Sequence, residues 1–241
     1  MALMATPSSV LQQFGDGIWL ADGVEVDVAG FHYPTRAAIV RLSSGGLLVW
    51  SPVALSPALR ADVDALGDVH HLVAPNSLHH LFLREWQAAY PLAQSHAPPG
   101  LRRKRPDIAF DADLDDAVAS PWAADLDQVV IRGNLITTEV VFFHLASRTV
   151  LFADLIQQFA PGSLNGWRAI VARLDLMAEA EPQVPRKFRA AFVGRSSARA
   201  AVQHVLAWPA NKVVMAHAPP VLEDGQAFLA RRFRWLFRQQ C

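Results

Sequence analysis

The sequence predicts an α/β fold with two mixed sheets flanked by helices, and three observations predict it. Strand signals cluster twice, in the first third of the chain and again near its middle. Helical periodicity follows each cluster. Strands and helices do not alternate regularly, which argues against a doubly wound nucleotide-binding sheet. The length of 241 residues and an apolar share of 52% allow one sizeable core. We expect a disordered or extended segment over residues 1–10 and a single domain over 11–241.

The elements follow in order. Residues 17–21 and 24–28 read as short strands around an Asp22-Gly23 turn. Residues 37–42 and 47–50 flank Ser43-Ser44-Gly45-Gly46, a second hairpin signal. Ser56 and Pro57 read as the cap and first turn of a helix that runs to Leu66, and Gly67 stops it. Residues 69–74 read as a strand, and a helix is expected over 79–89, with Phe82 and Trp86 one turn apart and facing the core. Residues 96–107 are the best loop candidate, and the acidic stretch 111–127 reads as surface. Strands resume at 129–132, 139–144 and 149–153. Helices are expected over 166–178 and, with an interruption, over 185–208. A last strand at 212–216 precedes an amphipathic helix over 224–239.

Composition narrows the function. Twenty-two basic residues balance twenty-two acidic ones, which gives no support for broad electrostatic binding to nucleic acid or to an anionic membrane. The single cysteine, Cys241, allows no disulfide within the chain and no cysteine-rich metal knuckle, so any metal must sit on His, Asp or Glu. The glycine-rich dinucleotide fingerprint and the phosphate-binding loop are both missing. No segment reads as a signal peptide or a membrane span, and a cytoplasmic location is expected.

Chemistry gathers at strand ends. His79 and His80 follow the strand at 69–74, Asp154 follows that at 149–153, and His217 follows that at 212–216. Strand exits often collect at one sheet edge, and imidazoles with a carboxylate there suit zinc or iron. Each residue also has a plainer use. By itself a His-His pair is usually a cap and surface feature of a helix start, while Asp154 reads also as a helix cap and His217 as a turn residue. His70, His71 and His144 read as structural. The Arg102-Arg103-Lys104-Arg105 run reads as a solvated loop, with anion binding through Arg103 as the alternative.

The segments Val-Ala-Pro-Asn-Ser-Leu-His-His (73–80), Arg-Thr-Val-Leu-Phe-Ala-Asp-Leu (148–155) and Val-Val-Met-Ala-His-Ala-Pro-Pro (213–220) resemble, in this order, the metallo-β-lactamase superfamily. More narrowly, with His-Ala-Pro-Pro-Gly-Leu-Arg-Arg-Lys-Arg-Pro-Asp (96–107) and Phe-Ala-Asp-Leu-Ile-Gln-Gln-Phe (152–159), the chain resembles a domain-of-unknown-function family of degenerate members of that fold. The resemblance spans about residues 11–238 and implies a four-layer αββα sandwich with its site at one edge of the two sheets.

It also implies a damaged metal site. If His80 matches the last His of the superfamily's H-x-H-x-D-H motif, His79 stands at the Asp position, and Ser77 and Pro75 replace the first two His. The next motif His falls near Asn134. Asp154 matches the carboxylate that often bridges two metals, and His217 matches the last His. The implied site is one divalent ion, zinc or iron, on His79, His80, Asp154 and His217. His79 and Asp154 would be catalytic, and Asn134 and Arg103 would bind substrate. Three functions follow as expectations. The first is a single-metal hydrolase of a small ester, thioester or phosphoester. The second is a mononuclear non-haem iron oxidoreductase on the same ligands, and the third is a non-catalytic binding protein that has lost its metal.

Overall fold

The computed structural model describes residues 9–116 and 121–237. Nearly all of the expected N-terminal segment, the last two residues of the expected final helix and Cys241 lie outside the described residues.

The chain runs through β1 (Gln12–Gly15), β2 (Ile18–Val28), β3 (Phe31–Arg41), β4 (Leu47–Trp50), α1 (Pro57–Leu66), β5 (Val69–Val73), α2 (Leu83–Ala89), β6 (Gln94–Ala97), α3 (Leu101–Lys104) and β7 (Ala112–Asp113). It continues through β8 (Leu126–Ile131), β9 (Glu139–His144), β10 (Thr149–Gln157), α4 (Trp167–Leu174), α5 (Arg186–Ala191), α6 (Arg195–Ala207), β11 (Lys212–Val221) and α7 (Gly225–Phe237). One sheet has the order β1-β2-β3-β4-β5-β6-β7, and the other has the order β11-β10-β9-β8. Both are mixed: β4 to β7 pair parallel after antiparallel β1 to β4, and β10 pairs parallel with β11 but antiparallel with β9.

Alternation along the strands builds the layers. In β3, Ala38 and Val40 face the second sheet, while Ala37 and Ile39 face α1 and α2. In β10, Leu151 and Ala153 face the first sheet, while Val150 and Phe152 face the helices of the other side. Stretches such as β4, Ala37–Val40 of β3 and Val150–Ala153 of β10 are apolar at every position because both faces are covered. The three largest cores among the described residues lie one between the sheets and one beneath each helical layer, which is a helix–sheet–sheet–helix sandwich.

Five expectations need correction. No turn occurs at Asp22-Gly23. Instead, β2 is one strand of 11 residues with a bulge between Gly23 and Val26, and it turns at Ala29-Gly30, both at positive φ. Gly23 is needed for close approach, since a Cβ there would lie 2.5 Å from Thr35 Oγ1 and 2.6 Å from Val53 Cβ. The helix after β5 starts at Leu83, so His79 and His80 lie in the turn before it. Residues 96–107 are not all loop, because they hold the end of β6 and the single turn α3. The helix expected over 166–178 ends at Leu174, and Leu176 at φ 63° breaks the helical path.

The fifth correction is the one that builds the site. The strand carrying Asp154 does not end at Ala153 but runs to Gln157, and no helix follows for Asp154 to cap. Its parallel register with β11 holds to Phe152↔Met215 and resumes only at Gln157↔His217. Five steps along β10 thus match two along β11, so the intervening residues bulge out of the ladder. His217 likewise lies within β11 and not in a turn.

Candidate metal centre

Bulged backbone must find hydrogen-bond partners elsewhere. Here the partner is Glu139, the first residue of β9. Its carboxylate accepts from the N–H groups of Ala153 at 2.8 Å, Asp154 at 2.8 Å and Leu155 at 3.0 Å. Glu139 is fully buried. Burial and the neighbouring Asp154 charge push its carboxyl up to about 7 against the three N–H donors. Glu139 therefore acts as a side-chain replacement for the missing strand and holds the Asp154 backbone in place.

Three polar side chains meet above this bulge. His79 Nε2 lies 3.2 Å from Asp154 Oδ2, and His217 Nε2 lies 3.5 Å from Asp154 Oδ1. The two Nε2 atoms are 3.2 Å apart. His79 comes from the turn after β5 in one sheet, and Asp154 and His217 come from β10 and β11 in the other. The cluster therefore sits where the two sheets meet at one edge of the sandwich.

Each member is held from behind. The carbonyl of Pro34 can only accept, so His217 Nδ1 carries the proton in their 2.6 Å hydrogen bond. In the neutral ring this leaves the Nε2 lone pair facing the cluster. His79 Nδ1 is engaged by Ser51 Oγ at 2.8 Å. Asn76 Nδ2 donates to Asp154 Oδ2 at 2.7 Å and to Glu139 Oε2 at 3.4 Å. Its Oδ1 accepts from the N–H of Leu78 at 2.8 Å and shapes the turn that carries His79. Gln157 Nε2 donates to Asp154 Oδ1 at 3.0 Å. Burial opposes the Asp154 charge, but His79 and His217 outweigh it and hold the carboxyl well below the usual range. Burial likewise opposes the His217 imidazolium, and its bond to Asp154 outweighs that and raises its pKa.

This donor set fits a metal ion. One nitrogen from each ring and one carboxylate oxygen lie within 4.8 Å of one another, and the remaining ring nitrogens are already engaged. A metal-ligating imidazole is normally oriented in this way through its second nitrogen. His79, Asp154 and His217 are the residues that could hold the ion.

The other expected site residues stand apart. His80 turns away from the cluster, and its Nδ1 meets Arg105 Nη1 at 2.8 Å. Burial, Lys104 and Arg105 lower its pKa to about 4. The expected pairing of His79 and His80 as ligands is therefore not seen, because only His79 faces Asp154. Asn134 does not face the site either. Its Nδ2 donates to the carbonyl of Phe188 and its Oδ1 accepts from the N–H of Ile136, so its amide ties a loop to α5. Arg103 is exposed on α3, and it is Lys104, the next residue, that lines the cleft.

Glu139, Asn76 and Ser51 were missed by the sequence reading. A carboxylate opening the otherwise apolar run Glu-Val-Val-Phe-Phe was the one available signal for Glu139. A cleft of about 470 Å³ opens in front of the cluster. Its walls are mostly apolar, from β2, the turn 77–82 and the region of α5.

Comparison with known proteins agrees with this architecture. A family profile described as a domain of unknown function, DUF4336, matches residues 16–165. No curated protein matches the sequence. Among solved structures, a metallo-β-lactamase from Erythrobacter litoralis with β-mercaptoethanol in its active site is similar at 15% identity. The similarity covers 96% of this chain and 98% of that one, with a TM-score of 0.64. The metallo-β-lactamase FIM-1 of Pseudomonas aeruginosa, in its mono-zinc form, is similar at 13% identity, over 95% and 96% of the chains, with a TM-score of 0.61. The flavodiiron core Flv1 of Synechocystis is similar at 11% identity over 96% of this chain and 61% of that one, with a TM-score of 0.62. These likenesses establish a metallo-β-lactamase-type fold. No helix among the described residues is long and apolar enough to cross a membrane.

Proposed function

The chain belongs to the DUF4336 family, a domain of unknown function, and from that premise we propose a single-metal hydrolase. It would hold one divalent ion between His79, Asp154 and His217 and act on a small ester, thioester or phosphoester. The observation that carries this reading is the convergence of the two Nε2 atoms and the Asp154 carboxylate, with both Nδ1 atoms engaged from behind.

A zinc ion at such a site lowers the pKa of a bound water toward ~7 and polarises an ester carbonyl or a phosphoryl oxygen. The chain's own residues supply the rest. Asp154 stays ionised and contributes the negative charge. Glu139 and Asn76 fix its position, so the carboxylate does not swing out to solvent. Ser51 and Pro34 set the ring orientations of the two histidines. The apolar walls of the cleft exclude water from one side of a bound substrate and strengthen electrostatics at the centre.

The two-histidine, one-carboxylate set is also the arrangement of mononuclear non-haem iron oxygenases, which makes iron chemistry the second reading. Metal content decides between them. Protein purified without a His-tag is analysed for zinc, iron and manganese, alongside His79→Ala and His217→Ala. Near-stoichiometric zinc that is lost in both variants, together with esterase or phosphatase turnover, supports the hydrolase. Iron with oxygen consumption supports the second reading. A chain that takes up no ion after reconstitution overturns both.

A further inference from the structure

The cleft in front of the metal centre says more about its ligand than the metal residues do. Val28, Leu78, Leu81 and Ile136 line it, and these large apolar side chains remain exposed, Leu81 at 60% and Val28 at 54%. Apolar surface gathered around a concavity marks a binding site better than the same side chains scattered singly. Phe82 and Phe188 extend the apolar lining.

The polar groups in this lining are few. The whole chain has three lysines against nineteen arginines, and two of the three, Lys104 and Lys187, line the cleft. Lys187 lies 3.6 Å from Asp175, which offsets its charge. Lys104 donates to the carbonyl of Ser77 at 2.8 Å and, among the described residues, has no carboxylate within ion-pair distance. Arg105 follows it and pairs with Asp107 at 2.7 Å, so the two neighbouring cations share one carboxylate among the described residues. This end of the cleft is therefore positive without a full set of counter-charges.

One further polar group in the lining calls for a donor and lies at the Asp154 end, away from Lys104. Gln157 is 3% exposed and lines the cleft, and its Nε2 is committed to Asp154. Its Oε1 is buried with no hydrogen-bond partner among the described residues. A buried acceptor left unpaired is costly, and a donor on a bound molecule or its hydration would relieve it.

We propose that the cleft binds an amphiphilic anion: an aliphatic or aryl body against Val28, Leu81 and Ile136, with a carboxylate or phosphate at Lys104. This rests on the metal-centre reading only for the reaction, because the apolar walls and Lys104 bind whether or not an ion is present. Transfer of each methylene from water is worth roughly a four-fold gain in affinity, so chain length is a direct readout. An exposed-side ammonium–anion contact is worth a smaller, salt-dependent factor.

The test is calorimetric titration of the metal-loaded protein with acetate, hexanoate and decanoate, with decyl phosphate and with decyltrimethylammonium. Decanoate is expected to bind at least 100-fold more tightly than acetate, with hexanoate between them. Decyl phosphate should match or exceed decanoate, and decyltrimethylammonium should bind at least 10-fold more weakly. Lys104→Met should weaken decanoate three- to ten-fold, and Leu81→Asp by more. Equal affinity for acetate and decanoate would overturn the apolar half of the proposal. Equal affinity for the cationic amphiphile, or an unchanged decanoate affinity in Lys104→Met, would overturn the anionic half. Metal analysis of the same wild-type protein separates the two readings. A wild-type chain that takes up no ion yet still binds decanoate leaves this inference standing and removes the enzyme, whereas a wild type that holds its ion and does not bind decanoate does the reverse.

Discussion

His217 Nε2 lies 3.2 Å from His79 Nε2, although the two residues are 138 positions apart and come from different sheets. Neither ring is free to turn, since Pro34 holds one and Ser51 the other. The meeting of the sheets, not any local motif, creates the candidate metal centre.

The adjacent histidines offer the sharpest test of that geometry. His79 faces Asp154, while His80 faces Arg105. His79→Ala is expected to weaken zinc binding by 100-fold or more, and His80→Ala to change it by less than three-fold. Competition against a fluorescent zinc chelator reads both values. Equal losses would mean that the turn 77–82 rearranges on binding to bring His80 in.

Glu139→Gln probes the layer beneath. The amide must point its NH₂ at one of the N–H groups that the carboxylate now accepts from. Opposed donors in a fully buried position should cost about 2 kcal/mol. Urea unfolding measures that cost. Because Asp154 loses its support, zinc affinity should also fall by roughly 10-fold or more, as losses of outer-sphere partners generally produce.

One source of acid sensitivity lies away from the cluster, in the buried pair His71 and His96 on neighbouring strands β5 and β6. His71 Nδ1 lies 3.1 Å from His96 Nε2, and the Trp122 ring packs on both. Burial, then the His71 charge, lowers His96 from 6.5 to about 4, and burial lowers His71 as well. At His96 the unfolded chain therefore binds more protons than the folded one between about 4 and 6.5. The contribution of a neutral His96 to stability is complete above pH 6.5 and is lost as the pH falls toward 4, amounting to at most about 3 kcal/mol. His96→Gln should flatten unfolding free energy against pH in this window, and an unchanged slope would exclude His96 as its source.

Much of the fold was legible in the sequence, and the physical reasons are specific. The strand β4, the helix α1 with its Ser56 cap and Gly67 stop, and the split between α5 and α6 announce themselves through local chemistry. The long strand β2 does not, because Asp-Gly is also a hairpin turn. What keeps Gly23 inside a strand is the approach of Val53, thirty residues away. Asp154, His79 and His217 could be picked out as residue types at strand ends. Glu139 and Asn76 could not, since their roles depend on the bulge in β10, and a bulge set by pairing with β11 leaves no local mark.

Asn134 closes the comparison, because its sequence position and its structural position predict opposite outcomes. At the place of a lost motif histidine, its amide would be expected to hold a bound anion. In the structure, Nδ2 donates to the carbonyl of Phe188 at 2.8 Å and Oδ1 accepts from the N–H of Ile136 at 3.0 Å, and the residue is 7% exposed. Both functions of the amide are used, and its loss leaves a buried carbonyl and a loop N–H without partners. Asn134→Ala should therefore destabilise the fold by about 1–3 kcal/mol. Zinc affinity should stay within about two-fold of the wild type, because no bond links Asn134 to His79, Asp154 or His217 among those of the described residues. Thermal unfolding with a parallel zinc titration checks both halves, and a stable variant with impaired ligand binding would restore the anion-binding role.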